Sequence, residues 1–199
     1  MDWMGWLLPL ALGWMLQRRA QQQRIVVLAQ VLGRFQVEKL METVADGYLR
    51  ALGETDPERA RQVWNMLELA EHTLRDQVQA VAQAFDAVDA RAAHFSTLPV
   101  DLPLAQWLWP RHRADLRALL HIHASGISRV VDNAAGLARR DQAYMLTAEL
   151  LLLQHSCHWF CRSKATASAR LRARHGTPHA QLLAAVSAPT RAAYTGMLR

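Results

Sequence analysis

The densest group of side chains able to do chemistry is the run His155-Ser156-Cys157-His158-Trp159-Phe160-Cys161. On a helix, Cys157 and Cys161 lie one turn apart and His158 stands three before Cys161, so three soft ligands share a stripe. Joined by His121 or His123 from the preceding helix, they could form a tetrahedral zinc site or an axial haem contact. A plainer reading competes with this. Leu146, Leu150, Leu153, Cys157 and Phe160 or Cys161 also form an ordinary apolar stripe, in which cysteine packs as a small hydrophobe. The specific metal signatures, paired CxxC or HExxH, are missing. Packing therefore outweighs metal at Cys157, His158 and Cys161, and no resident cofactor is expected. A disulfide between these two cysteines is awkward, because consecutive helical turns sit near the upper limit of its Cα separation.

Other catalytic constellations are absent from the sequence. The nine glycines never assemble a phosphate-binding loop, and no nucleophile elbow occurs. Glu68 and Glu71-His72 do not supply the two Glu-x-x-His motifs that a di-iron helical bundle needs. The balance leans away from an enzyme.

Trp3 to Leu16 is uncharged and almost wholly apolar, and Arg18 and Arg19 follow at once. Trp3, Trp6 and Trp14 fit a headgroup-level belt, and the arginines on the inner flank predict N-out, C-in. These five residues are the expected membrane contacts. The segment reaches roughly 21 Å as a helix against a hydrocarbon core of roughly 30 Å, and Pro9 weakens it further. A secretory signal fits poorly, since Asp2 leads and the arginines lie on the wrong side. Docking of this segment on the body of the protein is the soluble alternative. Spanning, lying in the interface and docking all stay open.

Charge is unevenly distributed around the net +6. The middle of the chain is mildly acidic, whereas seven bases and no acid follow Glu149. Arg162, Lys164, Arg170, Arg172 and Arg174 are the expected contacts to an anionic partner, whether lipid headgroup, protein or nucleic acid. Nucleic acid is disfavoured, because no aromatic residue is interleaved between Arg162 and Arg191. Trp107 and Trp109 beside Arg111 and Arg113 are read as closing a bundle core rather than as an interfacial contact.

The elements that must position these groups are helices. Ala, Leu, Arg and Gln dominate, and almost no segment alternates with period two. The expected fold is an all-α bundle of four to six helices, with long antiparallel members and a short N-terminal hydrophobic helix. Residues 1–23 form the hydrophobic segment and 24–199 a single bundle domain, its basic helices beginning near 150. The spacing predicts helices from about Arg24 to Leu52, from a Thr55/Glu58 capping box to about Ala93, from Arg111, and from Asp141 to Arg174. An irregular connection from His94 to Pro110 has room for a short helix near Asp101. Gly176-Thr177-Pro178 should stop the fourth long helix and start a short one, and Ser187-Ala188-Pro189 opens the last turn. Val63, Leu67, Ala70, Leu74, Val78, Val81, Phe85 and Val88 make a near-heptad seam, suited to packing within the chain or to a coiled-coil homodimer.

These readings converge on a non-catalytic, membrane-associated scaffold or adaptor that meets protein partners through helix faces. It would sit on the cytoplasmic side of a bacterial inner membrane. The alternatives are a soluble nucleic-acid-associated or regulatory protein of the cytoplasm, and a metal- or haem-binding bundle.

Overall fold

The computed structural model describes residues 4–101 and 111–198, with side chains from Ala11 onward. Trp3, Trp107, Trp109 and the short helix expected near Asp101 lie outside the described residues or at their edge. The side chain of Trp6 lies outside them too.

The apolar spacing gives an all-α fold. Among the described residues nine helices occur: α1 Met4–Leu32, α2 Val37–Gly53, α3 Pro57–Phe85, α4 Ala90–Ala93, α5 Leu116–Val131, α6 Arg139–Cys161, α7 Lys164–His175, α8 His179–Ala185 and α9 Ala188–Met197. The five longer ones, α1, α2, α3, α5 and α6, carry most of the core, and the rest are short.

Three expected long helices are each divided; the second ends at Phe85, and α4 follows it separately at Ala90–Ala93. The first breaks after Leu32, where Arg34 and Phe35 donate to carbonyls only three residues back, and α2 restarts at Val37. The hydrophobic segment is correspondingly not a separate short helix. It is the N-terminal half of α1, which runs unbroken through Pro9 and across residue 23. The fourth breaks at Arg162, and Ser163 caps α7 by accepting from the Thr166 N–H at 3.2 Å. Gly176 ends α7 at φ +65°, a conformation cheap only for glycine, and the short helices α8 and α9 follow as expected.

Helix starts at two other sites differ from expectation. Asp56, not Thr55, caps α3, its carboxylate accepting from the N–H groups of Glu58 and Arg59, with Pro57 in the tolerant first position. The helix expected from Arg111 starts at Leu116, with Asp115 as its cap. The residues before it pair instead, His94–Ser96 (β1) with Arg113–Asp115 (β2), in an antiparallel ribbon with Phe95 opposite Ala114.

The near-heptad seam of α3 is used inside the chain. Leu67, Leu74, Val78, Val81 and Phe85 are buried, and α3 packs on α2 along one side and on α5 along another. Five of the eight seam residues are thus covered within the chain, and Val63, Ala70 and Val88 are half-buried. At the other end of α3, Phe85, Phe95, Trp159 and Phe160 form an edge-to-face cluster with centroids 5.4–6.1 Å apart. The Trp159 indole N–H donates to the Ser96 carbonyl at 3.1 Å, so the ribbon both fills and satisfies this core.

Helix α9 closes on α5 at Gly126. A methyl there would lie 2.3 Å from Thr190 Oγ1 and 2.7 Å from Glu149 Oε2, both on fully buried side chains. Alanine adds up to about 1 kcal/mol of helix propensity, but the overlap with groups that cannot swing aside costs more. Gly126→Ala is expected to destabilise the fold by about 1–3 kcal/mol net, in the range of overpacked cores. Its urea midpoint checks this: an unchanged midpoint would mean that α9 moves off freely.

Candidate functional site

The α1 helix has two unlike halves. From Gln21 onward it is fastened to the bundle. Gln21 Nε2 and Arg24 Nη2 donate to Asp101 Oδ2 at 3.2 and 2.6 Å, and the Arg162 guanidinium donates to Gln21 Oε1 at 2.9 Å. Leu28 and Val31 are buried in the core. Before Gln21 the helix is covered along one strip only, where Gly13, Gln17 and Ala20 are half-buried and Gln17 Nε2 is out of contact with solvent. Leu12, Trp14, Met15 and Leu16 are 59, 55, 50 and 44% exposed, and on a helix they point to more than one side. The stretch from Met4 to Leu16 has no polar side chain, so this arm lacks a polar face altogether. Among the described residues only one strip of the arm is covered, and the apolar side chains on its other sides are not. Arg18 lays its guanidinium 4.0 Å from the centre of the Trp14 ring, and Arg19 beside it is exposed. No described helix is long and apolar enough to cross a membrane, which corrects the transmembrane expectation. The apolar stretch is too short and ends in Arg18 and Arg19.

The basic residues lie on and before α7. Arg162, Arg170, Arg172 and Arg174 are exposed and Lys164 is half-buried. None of the five forms an ion pair with a described carboxylate. The Lys164 ammonium sits 5.1 Å over the Trp159 ring, and Arg170 donates to His158 Nδ1 at 3.2 Å. Arg172 and Arg174 lie in the last turn of α7, where cations complement the helix dipole. Only Arg162 touches the root of the arm; the others continue along α7.

Cys157, His158 and Cys161 do share a stripe, and it faces a groove rather than a ligand set. Among the described residues no three His, Cys, Asp or Glu side chains are placed to hold a metal. The expected fourth ligands are engaged elsewhere: His121 meets Asp86 at 2.9 Å, and His123 meets Ser156 Oγ at 2.9 Å. Both cysteines are free thiols. Burial pushes Cys157 up to about 12 and also raises Cys161, with a smaller repulsion between the two thiols adding to the Cys157 shift. At pH 8 a thiol with so high a pKa is about 10⁻⁴ ionised. Alkylation of Cys157 by iodoacetamide is expected to run at least tenfold slower than that of a free cysteine peptide. A rate equal to the peptide's would show an accessible, activated thiol.

The groove itself is about 670 Å³ and is walled by α1, α2, α3, α5 and α6. Its floor is the core, including Val78 and Leu120, each 1% exposed. Lys39, Glu38 and His158 stand on its lining as the charged or titratable groups beside the thiols.

Sequence reasoning missed the polar groups set into the core. Glu71 is 2% exposed; it accepts from Tyr48 Oη at 2.5 Å and from Arg139 Nη2 at 2.7 and 2.8 Å. The signal was its place between Leu67 and Leu74, at apolar spacing. Glu149 is fully buried, with Oε1 accepting the Ser187 N–H at 3.1 Å, and burial raises its pKa. His155 packs against His179 with ring centres 4.4 Å apart, and meets Ser168 Oγ at 3.1 Å. The Nδ1 atoms of His123 and His155 have no partner among the described residues.

No family model matches the chain, and comparison with curated proteins and with solved structures finds no match either.

Proposed function

We propose that this protein is a non-catalytic, membrane-associated helical adaptor, held on the bilayer by the α1 arm and presenting its bundle to protein partners. The observation that carries this reading is the apolar N-terminal half of α1, covered along one strip only, with Leu12, Trp14, Met15 and Leu16 exposed above a collar of Arg18 and Arg19. An arm with no polar face gains little by lying half in water, so insertion into one leaflet suits it better than a surface-parallel pose. The Arg18–Trp14 stack belongs at headgroup depth, where an indole and a guanidinium are both accommodated. The arginine collar favours an anionic leaflet, as on the cytoplasmic side of a bacterial inner membrane. Arg162, Lys164, Arg170, Arg172 and Arg174 would add the electrostatic part. One hydrophobic signal alone holds weakly, and a basic surface strengthens it.

Fractionation of cells expressing the full chain, beside a chain starting at Gln21, tests this. The full chain should stay with membranes through salt and alkaline carbonate washes while the shorter one is released. A full chain that is soluble and monodisperse without detergent would overturn the reading.

A further inference from the structure

A small notch between α6 and α7 gathers bases and no acid. Its polar lining is Gln154, His155 and His158 from α6 and Arg170, Arg174 and His175 from α7. Residues four apart share a helix face, so Gln154 with His158 and Arg170 with Arg174 make two facing stripes. Arg170 Nη1 donates to His158 Nδ1 at 3.2 Å and ties the stripes together. Neither arginine pairs with a described carboxylate. Helix α7 itself can supply no acid, since none follows Glu149 in the chain.

The cations act on the imidazoles beside them. Burial first, then Arg170 and Arg174, lowers the pKa of His158; burial and then Arg174 does the same for His175. Glu38 faces His158 from the groove and offsets this by less than either arginine. His155 is the buried member, 2% exposed, and its Nε2 meets Ser168 Oγ at 3.1 Å. With that hydroxyl as donor, Nδ1 carries the ring proton and is a buried donor with no partner among the described residues. Cations in the last turn of α7 complement the helix dipole. That accounts for Arg174 and not for Arg170, a turn earlier, or for the facing imidazoles.

The notch encloses about 20 Å³, room for about one water-sized atom. An occupant must therefore be narrow at its tip, with one oxygen inside and the rest of its charge at the guanidinium groups outside. A phosphate monoester has this form, with three free oxygens and a charge of about −1.5 to −2 at neutral pH. We infer that the notch binds a phosphate monoester, one oxygen seated in it and the others at Arg170 and Arg174, with His158 and His175 alongside. A free phosphate ester and a phosphomonoester lipid headgroup share this chemistry. The inference does not rest on membrane attachment, since no lining residue belongs to α1.

The test titrates the full chain, in nonionic detergent at pH 7.5, with inorganic phosphate and follows the histidine ring protons by NMR. Those of His158 and His175 should move along a saturating curve, and chloride of equal ionic strength should leave them in place. Arg170→Gln/Arg174→Gln, both exposed, should melt like the parent and lose saturation. Arg174→Gln alone should bind at least fivefold more weakly. Arg172→Gln removes the same charge from the opposite face of α7 and should bind within about twofold of the parent. Micelles carrying phosphatidate, set against glycerol 3-phosphate, separate the sources. Phosphatidate acting at a concentration at least tenfold lower assigns a lipid headgroup, and otherwise the occupant is a free ester. Leu12→Glu/Met15→Glu should respond to inorganic phosphate as the parent does, which tells loss of this site apart from loss of membrane attachment. Ring protons that move as much with chloride, or an Arg172→Gln chain as impaired as the double variant, would overturn the inference.

Discussion

Acidification from pH 8 to pH 5 is expected to cost the fold about 4 kcal/mol through two histidines, His123 and His155. Each is held neutral in the core, its pKa pushed down to about 3 chiefly by burial; for His155 the nearby His179 and Lys164 add to the effect. The unfolded chain restores both to about 6.5. Between these limits the unfolded state binds more protons than the folded one, so stability is complete above about pH 6.5 and falls progressively toward pH 3. At pH 5 each group has lost about 2 kcal/mol, from one and a half units at 1.36 kcal/mol each. The burial of His158 and His179 shifts them the same way. Glu149 opposes them, since its raised pKa means that the folded state takes up its proton first. Two histidines outweigh one carboxyl in this window. Urea titrations at pH 8, 6.5 and 5 measure the slope, and a midpoint that is flat over that range would contradict the assignment. The double variant His123→Gln/His155→Gln should flatten the slope while lowering stability at pH 8.

Arg139→Ala is expected to cost about 3–5 kcal/mol, the cost of leaving one partner of a buried ion pair alone. Arg139 is the middle of a chain of hydrogen bonds across four helices. Its Nη2 holds both oxygens of Glu71, its Nη1 donates to Gln142 Oε1 at 2.8 Å, and Gln142 Nε2 in turn donates to the carbonyls of Val130 and Val131 at 2.8 and 3.2 Å. Tyr48 completes the set from α2, and burial first, then the Glu71 charge, drives the phenol pKa upward. Arg139 also lies 5.1 Å over the Trp64 ring. Removing it strands the Glu71 carboxylate with a single donor. Arg139→Lys should recover only part of the loss, because a single ammonium cannot serve Glu71 from one nitrogen and Gln142 from another as the guanidinium does. Adding Glu71→Leu to Arg139→Ala should recover more, since hydrocarbon of that volume removes the stranded charge. Thermal melts of the three variants check this order. A melting temperature for Arg139→Ala within a few degrees of the parent would show that Glu71 finds water or becomes neutral at little cost.

The helical fold was legible because its apolar residues recur at three and four, and Gly176 and Ser187 carry their stop and start signals locally. The break after Leu32 was not. Leu32, Phe35 and Val37 continue an apolar pattern through it, and Gln36 caps α2 without a side-chain bond of its own. The stabilising contact comes from another helix, where Gln77 Oε1 accepts from the Gln36 N–H at 3.1 Å. The ribbon was hidden for a different reason: strands of three residues are too short to show alternation. In the α3 seam the expected inward residue was Ala70, which is half-buried, whereas its neighbour Glu71 is the fully covered one. Apolar patterning has no means of marking a buried carboxylate whose partners lie 23 and 68 residues away. The Cys–His stripe was legible as a stripe. What it faces depends on α1, α2 and α3 and could not be read from its own spacing.

Flotation of the full chain on vesicles of phosphatidylglycerol and phosphatidylcholine, beside Leu12→Glu/Met15→Glu, tests membrane attachment most directly. Both substituted residues are at least half exposed, so the variant should melt like the parent. The account predicts that the full chain floats, less completely in high salt because the share of the basic residues is screened, while the variant stays at the bottom of the gradient. Equal flotation of the two chains, or none by either, would contradict it.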